Sequence, residues 1–224
     1  MNTKFPLAFT AALIADPARA AMLTTLLDGR ARSAGELAIA GGVSAQSASM
    51  HLAQLLHGGF LRAWRAGRRR YYCLAGADIA RAIEALGSIS TPHRYRPAGA
   101  SQALCYARTC YDHLAGNLAV HLRMALERNR FIAAAGERDY ELTEDGERFL
   151  QRWGIVANEL RQSRRVFARR CLDWTEREDH LAGAVGAAIY QKLIEFRWIT
   201  RDKQTRAVYV TGNGERGFAR LLAK

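Results

Sequence analysis

Apolar residues recur at helical spacing through DPARAAMLTTLLDG (16–29), SAGELAIAGG (33–42) and SAQSASMHLAQLLHGGF (44–60). Each segment carries its own punctuation. Pro17 suits a first helical turn, and Gly29 a stop. Ser33 followed by Glu36 forms a capping box. Ser44 caps the third segment, which ends at Gly58-Gly59 and places Ala48, Leu52, Leu55 and Leu56 on one face. The opposite face shows Gln46, Ser47, Ser49 and Met50, small or polar toward the N-terminal end. FLRAWRAGRRRYYCLAG (60–76) then reads as strand, Gly67 turn, strand. Tyr71 and Tyr72 fall on opposite faces of that strand, so one of them belongs to a core.

Two short helices joined by a glycine turn, the second with an unobstructed polar N-terminus, predict a helix-turn-helix. Small side chains let such a helix sit deep in the major groove. Gln46 can address an adenine edge, and the hydroxyls can take phosphates or bases. Arg62, Arg65, Arg68, Arg69 and Arg70 surround the hairpin tip, where a basic wing would grip the phosphate backbone or a narrow minor groove. The bland alternative for this run is a solvated basic face. His51 has two readings, a phosphate contact or packing against a neighbouring turn.

VSAQSASMHLAQLLHGGFLRAWRAGRRRYYCLA resembles the winged-helix core of the ArsR/SmtB bacterial repressors. The S-x-x-x-x-S-x-x-HL-x-x-L helix and the G-R-R-x-Y-Y wing carry the likeness, over roughly residues 8–88. It implies a homodimer on an inverted-repeat operator in double-stranded DNA, released when an effector binds. It also implies a recognition helix lined by Ser44, Gln46, Ser47, Ser49 and His51, with Arg68, Arg69 and Arg70 in the wing. Met50 and Arg65 join this set by position. Metal-sensing members often carry paired cysteines before the turn, or acidic and histidine ligands after the wing. Here those segments read ELAIAGG and ADIARAIEALGS, so any sensor must lie elsewhere.

STPHRYRPAGAS (90–101) reads as a linker. Beyond it DHLAG occurs twice, at 112–116 and 179–183, and the surroundings also align. DHLAGNLAVHLRMALERNRFI is followed by YELTEDGERFLQRW, and DHLAGAVGAAIYQKLIEFRWI by VYVTGNGERGFARLL. The spacing between copies is 67 residues at Asp112/Asp179 and 68 at Gly146/Gly214. The pattern predicts a duplicated helix–β-hairpin–helix unit, about 108–153 and 169–223, with Asp112 and Asp179 as helix N-caps. The whole reads as mainly α (α+β): a winged helix-turn-helix over 1–89, a linker over 90–102 and a regulatory domain over 103–224.

A net charge of +12 in 224 residues favours polyanionic partners. No apolar run approaches a membrane span, and the first twenty residues read as a cytoplasmic N-terminal helix rather than a signal peptide. Four scattered cysteines suit free thiols. Both copies contain R-x-C-x-D: Arg108, Cys110, Asp112 and Arg169, Cys171, Asp173, with six extra residues before the second DHLAG. An arginine beside each cysteine would lower the thiol pKa. If the copies pack about a pseudo-twofold axis, Cys110, His113, Cys171 and His180 converge as ligands for zinc or another thiophilic metal ion. The competing reading makes the thiols core packing and the histidines part of a helix cap. Trp153, Trp174 and Trp198 line either an apolar effector pocket or the core. The expected function is a cytoplasmic, non-enzymatic repressor answering to a metal, redox or small-molecule signal. An architectural DNA binder without an effector and a thiol enzyme using Cys110 with His113 are the alternatives.

Overall fold

The computed structural model describes residues 6–89 and 102–222. The chain divides into two compact units, 1–100 and 101–224. Most of the expected linker lies outside the described residues, although its last member, Gln102, already opens a helix.

In the first unit, α1 (Pro6–Ile14) precedes α2 (Pro17–Thr25), where Asp16 accepts the Arg19 N–H at 2.9 Å and Pro17 occupies the first turn. A short 3-10 turn, Leu26–Asp28, ends on Gly29 at φ +86°. The strand β1 (Arg32–Ser33) runs directly into α3 (Ala34–Gly41). There the Ser33 N–H donates to the Glu36 carboxylate at 2.8 Å while the Ser33 hydroxyl caps in return. Gly42 turns the chain at φ +64° into α4 (Ala45–His57), capped by Ser44. The hairpin β2 (Leu61–Ala66) and β3 (Arg69–Leu74) follows, then α5 (Ala77–Ile89). Strand order is β1-β3-β2. Met22, Leu23, Leu37, Leu52, Leu55 and Tyr72 close the core. Each buried leucine contributes roughly 1.5–3 kcal/mol, so one face of α4 is fixed inward and the other is left to solvent.

The second unit departs from the expected helix–hairpin–helix plan, because each DHLAG segment is a strand. The order is α6 (Gln102–Tyr106), β4 (Arg108–Cys110), β5 (His113–Ala115), α7 (Asn117–Arg128), β6 (Ile132–Ala135), β7 (Asp139–Leu142), α8 (Glu144–Arg152) and α9 (Ala157–Arg161). Then come β8 (Arg169–Leu172), β9 (Asp179–Ala182), α10 (Gly183–Glu195), β10 (Ile199–Arg201), β11 (Val208–Val210) and α11 (Gly212–Leu222). Asp112 therefore stands in a hairpin turn and Asp179 in a strand; neither caps a helix. The helices begin later, at Gly116 (φ +91°) and Gly183 (φ +82°). A Cβ on Gly116 would lie 2.8 Å from the Cys105 carbonyl oxygen, and one on Gly183 2.7 Å from that of Val166. Only glycine accepts both the left-handed backbone and the close approach.

Strands β6-β7-β8-β9 form one sheet, joined at Asp139↔Arg169. The hairpins β4–β5 and β10–β11 meet at a matching bridge, Arg108↔Ala207, where Val208 N–H donates to Ala107 O at 2.9 Å. Leu126, Leu150, Val185, Tyr190, Leu193 and Ile199 fill the space between sheets and helices. Thr143 and Thr211 cap α8 and α11 from equivalent positions, donating to the carbonyls of Arg130 and Arg197. No single helix among the described residues is long and apolar enough to cross a membrane.

The openings of α8 and α11 rest directly on the preceding chain. A Cβ on Gly146 would lie 1.9 Å from the Phe131 carbonyl oxygen, and one on Gly214 2.0 Å from that of Trp198. Gly146→Ala and Gly214→Ala should each lower unfolding free energy by about 1–3 kcal/mol, read by urea denaturation. Gly35→Ala, with nothing within 4 Å of the added carbon, should cost nothing. Equal stability of all three variants would contradict the packing described.

Candidate functional site

The α4 N-terminus is polar because its cap is built from short side chains. The Ser44 oxygen accepts the Ser47 N–H at 3.2 Å, and Ser49 donates back to the Ala45 carbonyl at 2.9 Å. Gln46 and Met50 stand exposed on the outer face, while Ala48 and Leu52 are buried beneath. His51 is half-buried against the start of α2, its Nδ1 3.3 Å from Arg19 Nη1 and 3.7 Å from Asp16 Oδ1.

The hairpin tip is Gly67-Arg68, with Arg65 opposite Arg70 and Ala66 opposite Arg69. Arg65, Arg68, Arg69 and Arg70 are exposed, and Arg62 Nε donates to Cys73 Sγ at 3.1 Å. Tyr72 is the core member of its pair; Tyr71 stacks on Trp64. The Arg70 guanidinium lies 5.4 Å from the centre of the Tyr72 ring.

In the second unit Cys110 faces His113 across β4–β5, and Cys171 faces His180 across β8–β9. The two cross-strand pairs meet. One ligand atom from each of the four residues lies within 4.8 Å of every other. The His113 and His180 Nε2 atoms are 3.1 Å apart. Cys110, His113 and His180 are buried; Cys171 is partly so. Trp153 and Trp198 pack edge-on in an aromatic cluster with Phe196 and Phe218, whereas Trp174 lies elsewhere, against Arg108.

Residues 14–62 match the helix-turn-helix domain family. Over 213 residues the chain is 39% identical to the uncharacterized HTH-type transcriptional regulator YdfF of Bacillus subtilis (strain 168), covering 94% of both chains. The chain belongs to the HTH-type transcriptional regulators. Its N-terminal region is a winged helix-turn-helix, with α3 and α4 as the helix pair and β2–β3 as the wing. Similar solved structures include the cadmium metal-sensor CMTR of Mycobacterium tuberculosis, 36% identical, TM-score 0.31, over 38% of this chain and 83% of that one. A homodimeric winged-helix domain of Mb0332 from Mycobacterium bovis, a possible ArsR-family regulator, is 29% identical, TM-score 0.35, over 39% and 87%.

The regulator surrounds its cysteine–histidine cluster with carboxylates that sequence reasoning did not place. Asp112 Oδ1 lies 3.2 Å from His113 Nδ1, and its other oxygen meets Arg165 at 2.6 Å. Asp173 Oδ2 lies 3.4 Å from His180 Nδ1, long for a hydrogen bond but close for an ion pair. Asp173 also accepts from Arg108 at 2.9 Å, from the Gly116 N–H at 2.7 Å and from Thr175 N–H at 2.9 Å. Arg108 is 1% exposed and Asp173 fully buried. The six extra residues before the second DHLAG are the loop that carries this aspartate. Their presence was legible; their partner, 65 residues away, was not.

The thiol chemistry differs from expectation. Arg108 is engaged by Asp173, so it does not activate Cys110. The Cys110 thiol is pushed up to about 11 by Cys171 beside it and by burial, against the pull of the two histidines. Burial opposes a charged His180, yet Asp173 and then Cys110 outweigh it and raise its proton affinity. Asp173 stays well below the usual carboxylate range because His180 and Arg108 overcome its own burial.

The Arg108–Asp173 pair should dominate the stability of the C-terminal unit. Arg108→Met leaves a buried carboxylate without its cation and should cost about 3–5 kcal/mol. Arg169→Ala, which removes a half-exposed partner of Asp139, should stay within about 1 kcal/mol. Urea midpoints that rank the two the other way would show that the buried pair is not what holds these elements.

Proposed function

We propose that the regulator is a cytoplasmic, sequence-specific repressor that binds an inverted-repeat operator as a homodimer. In this reading its C-terminal unit receives a metal, redox or small-molecule signal at Cys110, His113, Cys171 and His180. The observation that carries the DNA half is the outer face of α4. Gln46 and Met50 project from a helix whose capping serines are too short to obstruct a groove, and four exposed wing arginines follow. Ser44, Gln46, Ser47, Ser49, Met50 and His51 then face bases and phosphates, and Arg65, Arg68, Arg69 and Arg70 grip the backbone, with His51 also packing α4 against α2. In a dimer the two helices would enter successive major grooves about 34 Å apart. Leu7 and Phe9 on α1 and Leu86 on α5 are exposed apolar residues that suit a dimer interface. Coupling of about 1–3 kcal/mol between signal and DNA suffices for a switch.

The second unit is best read as an internal duplication over 108–153 and 169–223, extended by a leading hairpin in each copy. Support comes from the paired glycine approaches, the paired threonine caps and the two sheet junctions, all at equivalent positions. The proposed organisation keeps the winged helix at 1–89, the linker at 90–102 and the regulatory region at 103–224.

Fluorescence anisotropy on DNA from upstream of the regulator's own gene tests the DNA half. Gln46→Ala should weaken operator binding more than random-DNA binding; equal losses would mean that Gln46 reads no base. Replacing Arg68, Arg69 and Arg70 with alanine should reduce the salt slope of log K by roughly one per lost phosphate contact. An unchanged slope would remove the wing from the interface. Equal affinity of the unmodified protein for every sequence would favour an architectural binder.

A further inference from the structure

The cysteine–histidine cluster brings four side chains of metal-ligand type to one enclosed point. Each imidazole turns Nδ1 toward a carboxylate, Asp112 for His113 and Asp173 for His180. For His113 the 3.2 Å contact places the proton on Nδ1 and presents Nε2 as the ligand atom; for His180 the nearby carboxylate orients the ring so that Nε2 faces the same point. The two Nε2 atoms stand 3.1 Å apart, a spacing that one shared proton or one bound cation can bridge, in a site where Cys110 and Cys171 also converge. One cation among them would replace the shared protons and engage all four side chains at once.

We infer that Cys110, His113, Cys171 and His180 form a closed, four-coordinate site for one thiophilic divalent cation of tetrahedral preference, with Zn2+ as its type. This deepens the reading that the cluster is where the C-terminal unit receives its signal.

Donor type, spacing and charge agree. Two sulfurs and two imidazole nitrogens are the borderline-soft set that such ions prefer. Two Zn–N bonds of about 2.0–2.1 Å at a tetrahedral angle place their nitrogens about 3.3 Å apart. The observed 3.1 Å is within a few tenths of that. On binding, the four metal–ligand bonds form while each thiol gives its proton to solvent, so two thiolates balance a dication. The surrounding carboxylates are already neutralised, Asp112 by Arg165 and Asp173 by Arg108. A monovalent ion would leave one buried negative charge, and a trivalent ion one positive charge, each costly away from water. All four ligands come from the protein, and the hairpins β4–β5 and β8–β9 each supply one cysteine and one histidine. The ion therefore cross-links the two hairpins rather than offering a coordination position to a substrate. A disulfide between Cys110 and Cys171 would use only half of the set.

The test uses the full chain, reduced and stripped with a chelator, titrated with Co2+. One equivalent should produce the intense visible bands of tetrahedral cobalt together with thiolate-to-cobalt charge transfer, and Zn2+ should abolish both. Asp112→Asn, at the more exposed end of the site, should keep this spectrum while weakening affinity by roughly 10–100-fold. Cys171→Ser should lose much of the charge-transfer absorption. Independently of any variant's folding, Zn2+ should protect the partly exposed Cys171 of the unmodified protein from alkylation while Cys73 stays reactive, read by mass spectrometry. A weak octahedral spectrum, a charge-transfer band indifferent to Cys171→Ser, or equal alkylation with and without Zn2+ would overturn the site. If the spectrum and the protection appear but operator affinity ignores Zn2+, the metal site stands and the signalling role in the proposed function falls.

Discussion

An arginine taken out of water must bring its counter-charge with it, and Arg108 does so by reaching Asp173. Around this contact the C-terminal unit is organised. Arg108 begins β4 and also donates to the Leu104 carbonyl within α6, at 3.2 Å. Asp173 receives the backbone of Gly116, where β5 gives way to α7. The same carboxylate stands behind His180. One ion pair thus fixes a helix end, a strand start, a strand-to-helix corner and the orientation of an imidazole. Interactions inside such a network strengthen each other in a low-dielectric interior, and the loss of one member leaves several polar groups unsatisfied.

Much of the first unit was legible because its determinants are local. Ser33 and Glu36 are three residues apart, Ser44 stands one residue before its helix, and Gly42 makes the turn between them. In the second unit the same local logic misled. Aspartate is a good N-cap, so Asp112 and Asp179 read as helix starts, yet Gly116 and Gly183 hold that position through their positive φ and close carbonyl contacts. The convergence of Cys110, His113, Cys171 and His180 could be anticipated from the internal similarity alone. Their register could not, since Cys110 opposite His113 requires a two-residue turn rather than a helix. Arg108 and Asp173 each stood out in the chain, but nothing local announced that they would meet across it.

The regulator separates two kinds of electrostatics between its units. Around the wing, arginines are exposed and free to exchange water and counterions for phosphate, as reversible DNA binding requires. In the C-terminal unit the Arg108–Asp173 pair is enclosed, which gives fixed geometry instead of long-range attraction. The exposed wing arginines and the buried cluster are therefore separate properties, one suited to a polyanion and the other to holding four side chains in place.

The sheet connections also bear on how the chain acquires its structure during synthesis. The hairpin β6–β7 gains its neighbour only when β8, beginning at Arg169, has emerged. The hairpin β4–β5 waits for Ala207 and Val208. Until then each leaves an open strand edge, the kind of surface that recruits other chains. The nascent polypeptide must therefore keep its earliest C-terminal hairpin waiting, uncompleted, for about a hundred residues of further synthesis.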